Sequence, residues 1–378
     1  MPSGRNRQLS PSEQSFFLLG PRGTGKTYWV RSTFPEALYV SLLDPEVHRH
    51  LAARPEHLGE LASAVPDDGT IVIDEIQKLP ILLEVVHALI SEGRRIRFVL
   101  TGSSARKLRR GNVNLLGGRA LQVHMHPYIA SELGDDFSLE RALTCGLVPL
   151  VVESPTPEET LRAYASLYIQ QEVFAEGLTR SDEQFARFLE AISFSHGEIL
   201  TVTNVARDCA VKRKTVENYV ETLEDLLLAY RVPVFAHHAK RDLVSHPKFY
   251  FFDAGMFRTL RPTGPLDDLS SIQGHALEGL VAQHLKAFCD YARDGRKLYY
   301  WRTRSGAEVD FIVYGPTTFD AIEVKNTSVV RPEHLRSLSE FVKLYPQANA
   351  TLLYRGNERF VRGNVRVEPV DAWLKQLR

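Results

Sequence analysis

Gly20, Gly25, Lys26 and Thr27 stand in "GPRGTGKT" at the spacing Gly, four residues, Gly, Lys, Ser/Thr, which chance gives in roughly one chain of this length per hundred. The chemistry of that pattern is phosphate binding. Glycines let the backbone approach closely, so that amide N–H groups point at phosphate oxygens, and the N-terminus of a following helix adds partial positive charge. Gly20, Gly23, Thr24, Gly25, Lys26 and Thr27 are therefore the expected nucleotide contacts. Lys26 is expected to bridge the β- and γ-phosphates and the Thr27 hydroxyl to ligate Mg2+.

Hydrolysis needs more than a cradle. "GTIVIDEIQKLP" delivers Asp74 and Glu75 at the end of an all-apolar run, Ile71 to Ile73. Asp74 is expected to hold Mg2+ through its water shell, and Glu75 to orient and polarise the attacking water. "RIRFVLTGSS" places Thr101, Ser103 and Ser104 where a central strand would meet the γ-phosphate. Ser103 is the favoured polar sensor among these hydroxyls. Arg119, in "LLGGRALQV", has the chemistry of an arginine finger supplied in trans between subunits, with a plain surface arginine as the alternative.

A second set of reactive types lies near the C-terminus, in "LYYWRTRSGAEVDFIVYGPTTFDAIEVKNTS". Asp310 begins one apolar run, and Glu323 and Lys325 flank Val324 on the next, so strand alternation puts those two on one face. Two carboxylates beside a lysine suit metal-dependent phosphodiester cleavage, with Asp310 and Glu323 holding Mg2+ and Lys325 activating water. Glu278, in a preceding helical stretch, would be the fourth group. Glu-x-Lys alone arises about once by chance in such a chain. The competing readings are an ion pair on a strand, or a nuclease fold that binds nucleic acid without cutting.

The elements that must position these groups follow from the hydrophobic pattern. Phe16 to Leu19 read as a buried strand entering the glycine turn, with a helix from Tyr28 onward. Ile71 to Ile73 read as a parallel strand buried on both faces. Tyr299 to Arg302, Val309 to Val313 and Ala321 to Val324 read as three strands joined by turns at Ser305-Gly306 and Gly315-Pro316, behind a helix from His275 to Asp290. Pro155 and Pro157 mark a linker, and helical spacing follows through Leu161, Tyr164, Leu167 and Phe174.

Between them, "VTNVARDCAVKRKTVENYVETLEDLL" has the layout of a short helix, a turn and a second helix over Thr215 to Leu228. Lys212, Arg213 and Lys214 open that second helix, where a recognition helix meets bases and phosphates, and are the expected DNA contacts. "AHHAKRDLVSHPK" adds a basic stretch before an apolar strand, Phe249 to Phe252, and Asp253 fits a helix cap.

"GPRGTGKT", "IDEIQKLP", "FVLTGSS" and "GGR" together resemble the bacterial and archaeal AAA+ ATPases that carry a C-terminal domain of unknown function. The resemblance implies strands near residues 15–20, 37–43, 70–74, 96–102 and 120–124 with helices between them. It also implies ATP and Mg2+ as ligands and a homo-oligomer, a ring or partial ring, in which one subunit's arginine completes its neighbour's site. The "KFYFFDAG" run looks like a signature of the same family. The C-terminal segment resembles the PD-(D/E)xK nuclease core. The expected architecture is α/β: a P-loop AAA+ ATPase domain over 1–153, a helical and winged helix-turn-helix domain over 154–262, and a nuclease-like α/β domain over 263–378.

Composition sets the outer bounds. The 378 residues are 44% apolar and 24% charged, ordinary for a globular chain, with 46 basic and 46 acidic residues. Net charge thus gives no evidence for a nucleic-acid partner. Arg94, Arg95, Arg97, Arg106, Lys107, Arg109, Arg110 and Arg119 nevertheless crowd one stretch containing a single acid, Glu92, which is either a solvated face or an anion-facing surface. Cys145, Cys209 and Cys289 lack metal-ligand spacing. No run is long enough to span a membrane, and the polar N-terminus lacks an apolar signal core, so a cytoplasmic protein is expected. The leading expectation is an oligomeric ATPase that remodels or translocates on DNA, branched DNA included. The alternatives are an ATP-gated metal-dependent endonuclease and a slow nucleotide-driven switch with a protein partner.

Overall fold

A computed structural model describes residues 5–104, 118–168, 182–236 and 246–378. The chain forms two compact units, one of residues 1–126 with 225–227, the other of 127–224 with 228–378. Residues 154–224 and 228–378 therefore fall in one unit.

The first unit is a five-stranded parallel sheet of order β2-β3-β4-β1-β5, with β1 Phe16–Leu19, β2 Leu38–Ser41, β3 Thr70–Asp74, β4 Arg97–Gly102 and β5 Leu121–His124. The five strands fall where the family resemblance implies them. Central position explains composition: all four residues of β1, FFLL, are fully buried between β4 and β5. A strand covered on both faces has no side on which a polar residue can sit. Helices α1 Lys26–Thr33, α2 Pro45–Ala53, α3 His57–Ser63 and α4 Leu82–Ser91 cover the sheet. Asp44 stops the chain after β2 and caps α2, accepting from Glu46 N–H at 2.8 Å with Pro45 in the first turn. Leu82, Leu83 and Val86 of α4 meet Ile71, Ile73, Phe98 and Leu100 in one core. At about 25 cal/mol per Å2 this apolar burial is the main force holding the sheet together.

The basic stretch is not one surface. Arg94 donates to Ala62 O at 3.0 Å and Val65 O at 2.7 Å, and Arg97 donates to Ser12 O at 3.1 Å. These two guanidiniums tie down carbonyls of their own unit. Arg106, Lys107, Arg109 and Arg110 lie outside the described residues, as does Phe174.

The second unit begins with short helices, among them α5 Leu139–Cys145, and continues with α6 Asp182–Ser193, α7 Val202–Asp208 and α8 Arg213–Asp225. Val216, Tyr219, Val220 and Leu223 repeat at helical spacing and are buried, with Tyr219 against Phe185 and Phe188 at ring distances of 5.2 and 5.0 Å. An antiparallel ribbon follows, β6 Ala229–Val232 with β7 Lys248–Phe251. Next come α9 Ala254–Leu260, the long helix α10 Leu269–Ala292, and a sheet of order β12-β13-β11-β10-β9-β8. In that sheet β8 Lys297–Arg302, β9 Glu308–Tyr314 and β10 Phe319–Lys325 form an antiparallel meander. Helix α11 Arg336–Leu344 then carries the chain to β11 Asn349–Tyr354, parallel to β10, before β12 Phe360–Arg362, β13 Val365–Pro369 and α12 Val370–Gln376. Ile322 pairs with Phe311, so the register continues to place Glu323 across from Asp310.

Asp253 does cap α9. Its Oδ1 accepts from Met256 N–H at 3.1 Å and its Oδ2 from Leu147 N–H at 2.7 Å, joining α9 to the turn after α5. Lys248, the last residue of the basic stretch before Phe249, is 2% exposed. It points off β7 into a nest of carboxylates rather than toward solvent.

Candidate functional site

The glycine-rich turn connects β1 to α1. Gly23 and Gly25 have φ of 81° and 88°, a conformation that costs side-chain-bearing residues about 1–2 kcal/mol. Gly25 leads directly into α1 without a side-chain cap, leaving the first-turn N–H groups facing the turn. Thr24 is fully buried and its hydroxyl donates to Pro21 O at 2.8 Å, bracing the turn from inside. Lys26 lies folded over the turn, Nζ donating to Gly20 O at 2.7 Å and Pro21 O at 3.1 Å. Arg7, which the sequence did not single out, donates to Thr24 O at 2.8 Å and His126 O at 2.6 Å, fixing the turn to the end of the β5 segment.

Thr27 and Asp74 meet at the mouth of the turn. The Thr27 hydroxyl lies 3.4 and 3.2 Å from the two oxygens of Asp74. Asp74 is 1% exposed, and two further hydroxyls hold it: Tyr39 donates to Oδ2 at 2.5 Å and Thr101 to Oδ1. Burial, and next the hydrogen bond to Asp74, push the Tyr39 phenol well above its ordinary pKa. Tyr39 therefore stays a donor at every physiological pH.

Glu75 has φ 61° and ψ 49°, a left-handed backbone that ends β3 and swings its side chain aside from the strand direction. Its N–H donates to Thr101 Oγ1 at 3.0 Å, so one threonine both accepts from Glu75 and donates to Asp74. Ser103 lies 3.3 Å from Glu75 Oε2. Gln77, in the single turn Ile76–Lys78, donates through Nε2 to Ser103 Oγ at 3.0 Å and to Glu75 Oε2. Gln77 and Thr101 thus position the acidic pair. Gln77 sits within the quoted "IDEIQKLP", but only the turn after Glu75 reveals that its amide doubles back. Arg119 is exposed and its guanidinium rests beside His87 of α4.

In the second unit, α10 brings Glu278, β9 brings Glu308 and Asp310, and β10 brings Glu323 and Lys325 to one place. The four residues expected there are gathered, with two that were not expected, Glu308 and Lys248. Lys248 Nζ lies 3.0 Å from Glu278 Oε1, 2.5 Å from Glu308 Oε1 and 3.9 Å from Asp310 Oδ1. Burial opposes the ammonium charge, yet Glu278, Asp310 and Glu308 outweigh it and hold the Lys248 pKa above its usual value. Asp310 Oδ2 accepts Val324 N–H at 2.8 Å, and Lys325 Nζ lies 2.5 Å from Glu323 Oε1. Burial and then the neighbouring Asp310 carboxylate push Glu323 up to about 8. Burial and then Glu278 raise Asp310 as well. Lys212, Arg213 and Lys214 are exposed at the start of α8, with Arg213 2.9 Å and Lys214 3.5 Å from Glu217.

Among the described residues, no helix is long and apolar enough to cross a membrane, and no group of three or more His, Cys, Asp or Glu is placed to hold a metal ion. Residues 136–267 match one domain of unknown function, DUF8612, and residues 273–373 another, DUF4143. The chain is 26% identical over 370 residues to "Uncharacterized protein Mb2031c" of Mycobacterium bovis and to "Uncharacterized protein Rv2008c" of Mycobacterium tuberculosis, spanning 94% of this chain and 80% of each relative. Solved structures overlap it weakly. The ORC2 protein of Aeropyrum pernix in its ADP form is 14% identical with a TM-score of 0.31, over 71% of this chain and 88% of that one. The replication initiator DnaA bound to AMPPCP and single-stranded DNA is 15% identical with a TM-score of 0.27, over 57% and 83%. Scores this low carry no inference about this chain's ligands. The AAA domain family model matches residues 12–134, a stretch that takes in the glycine-rich turn, Asp74, Glu75, Ser103 and Arg119.

Proposed function

We propose that the first unit binds and hydrolyses ATP with Mg2+, and that the second unit applies this turnover to DNA. The observation that carries the first half is the meeting of Thr27 and Asp74, a hydroxyl and a carboxylate within 3.4 Å at the open end of the glycine-rich turn. Both are hard oxygen donors, and with solvent completing an octahedron they suit Mg2+. Bound there, Mg2+ would neutralise charge on the β- and γ-phosphate oxygens. Lys26 exchanges the Gly20 and Pro21 carbonyls for phosphate oxygens, a charge-assisted contact stronger than the neutral ones it leaves. Glu75 orients the attacking water and accepts its proton. Ser103 and Gln77 fix the Glu75 carboxylate and so set when it faces that water.

Lys26→Ala should weaken ATP binding at least tenfold. Glu75→Gln should bind ATP within threefold of wild type and lose at least 99% of hydrolysis; equal turnover in Glu75→Gln and wild type would refute the role given to Glu75. Exposed Arg119 is proposed to act on a neighbouring subunit of a ring-like homo-oligomer. Mixing Arg119→Ala with Glu75→Gln subunits should then restore part of the activity that each lacks alone.

The DNA half rests on the exposed cations Lys212, Arg213 and Lys214 at the N-terminus of α8, and on two helices followed by a two-stranded ribbon, the order a winged helix would have. ATPase rates with single-stranded, duplex and branched DNA test it. Stimulation by DNA that is lost in a Lys212→Ala/Arg213→Ala/Lys214→Ala variant supports the reading. A rate indifferent to all three DNAs favours a switch with a protein partner.

A further inference from the structure

The helix, meander, helix and parallel strand formed by α10, β8–β10, α11 and β11 have the order of a nuclease-like core, and a divalent metal ion is the cofactor such a core implies. The residues present do not fit it. We propose that the Lys248 ammonium is the resident cation of this centre, standing where a metal ion would have to bind, so that the centre is metal-free and does not cut nucleic acid.

The carboxylates that would hold a metal ion already face cations or hydrogen-bond donors. Metal binding at this place would need Asp310 and Glu323, supported by Glu278 or Glu308. Glu278 Oε1 already receives Lys248 at 3.0 Å and the Tyr250 hydroxyl at 2.6 Å. Glu308 faces Lys248 at 2.5 Å through Oε1 and Arg302 at 3.0 Å through Oε2. Asp310 Oδ1 lies 3.9 Å from Lys248 Nζ, an ion-pair contact rather than a hydrogen bond, and its Oδ2 accepts a backbone N–H at 2.8 Å. Glu323 Oε1 is held by Lys325, and its Oε2 is buried without a hydrogen-bond partner. A metal ion reaching Asp310 and Glu323 together with Glu278 or Glu308 would have to occupy the place that the Lys248 ammonium fills.

Geometry makes the lysine hard to move. Lys248 is 2% exposed and reaches the cluster from β7, which is not a strand of the meander. An ammonium donates three hydrogen bonds from a single compact charge, and here carboxylates from α10 and β9 converge on it. Lys248, Lys325 and Arg302 set three positive charges against the four carboxyl groups, close to balance. Adding a dication without expelling Lys248 would leave an excess of positive charge in a dry site.

The test is Mn2+ titration of the full chain without nucleotide, by calorimetry and electron paramagnetic resonance, comparing wild type, Asp310→Asn, Lys248→Met and Lys248→Met/Asp310→Asn. Any Mn2+ taken up at Thr27 and Asp74 is common to all four and cancels in the differences. Wild type and Asp310→Asn should give the same isotherm. Lys248→Met should gain one Mn2+ site, at least tenfold tighter than anything in wild type, and lose it again in the double variant. Mn2+ binding by wild type that Asp310→Asn abolishes would overturn the proposal, as would Mn2+-dependent plasmid cleavage that Asp310→Asn abolishes. A folded Lys248→Met that gains no site would overturn it too. Should Lys248→Met not fold, the wild-type and Asp310→Asn comparison decides alone.

Discussion

Thr101→Val isolates the device that holds the acidic pair. Valine keeps the shape of threonine and removes only the hydroxyl, which accepts from Glu75 N–H at 3.0 Å and donates to Asp74 Oδ1. Thr101 is fully buried, so no water replaces it without rearrangement. A hydrogen bond to a charged carboxylate contributes about 1.5–3 kcal/mol and a neutral one about 0.5–1.5 kcal/mol, giving a loss of about 2–4.5 kcal/mol. Part of that loss falls on the Glu75 backbone, whose left-handed conformation itself costs about 1–2 kcal/mol and depends on the bond to Thr101. Loosening Glu75 by about 1.4 kcal/mol or more lowers its productive population, and hence single-turnover hydrolysis, at least tenfold. Thr101 touches neither the glycine-rich turn nor Lys26, so ATP affinity should move less than threefold. Hydrogen exchange at the Glu75 amide should speed up by a comparable factor, read beside the hydrolysis rate on the same preparation. Wild-type hydrolysis with unchanged exchange would refute the reasoning. An equal fall in affinity and hydrolysis would move Thr101 into binding instead.

Two further predictions concern the second unit. Glu323 has its pKa raised from 4.5 to about 8, so the stability it confers is full below about 4.5 and is lost as pH rises through 8. The carboxylate facing it is Asp310, with Lys325 and Lys248 as neighbouring cations. Thermal unfolding should therefore weaken between pH 5.5 and 8.5 by a few kcal/mol more in wild type than in Glu323→Gln; parallel pH profiles would remove Glu323 as the cause. Gly146→Ala should destabilise the chain by at least about 3 kcal/mol, because Gly146 combines a strained backbone with a crowded site. Its φ is 73° and an added Cβ would lie 1.9 Å from Asp253 Oδ1. A denaturant midpoint within error of wild type would show that Asp253 can move aside.

The first unit was legible because its chemistry is written in contiguous runs. Gly20 to Thr27 and Asp74-Glu75 each occupy one turn or one strand end, so spacing along the chain is nearly spacing in space. Strand positions followed for the same reason: FFLL and IVI are fully apolar, as strands covered on both faces must be. The division of labour among hydroxyls was less legible. Ser103 was favoured as the polar sensor, and it does face Glu75, but Thr101 contacts both acids from the same strand. Nothing in "LTGSS" distinguishes them until the left-handed turn at Glu75 is known. Lys248 was not singled out from the sequence at all. Its partner Glu278 is 30 residues away, and a lysine preceding Phe-Tyr-Phe-Phe reads only as the end of a basic stretch. Only the path of β7 beside the meander turns it inward. The same applies to Arg94 and Arg97, whose partners are backbone carbonyls that no sequence pattern announces.

The origin of Lys248 outside the meander has a consequence for any fragment cut at the expected boundary before residue 263. Such a piece would keep Glu278, Glu308, Asp310 and Glu323 and leave behind the ammonium that neutralises them. An excised C-terminal fragment would then be a different chemical object from the same residues in the intact chain. It would be acidic where the protein is balanced, and ready to scavenge whatever cation the buffer offers. Metal uptake or nicking by that fragment would be a property created by the scissors.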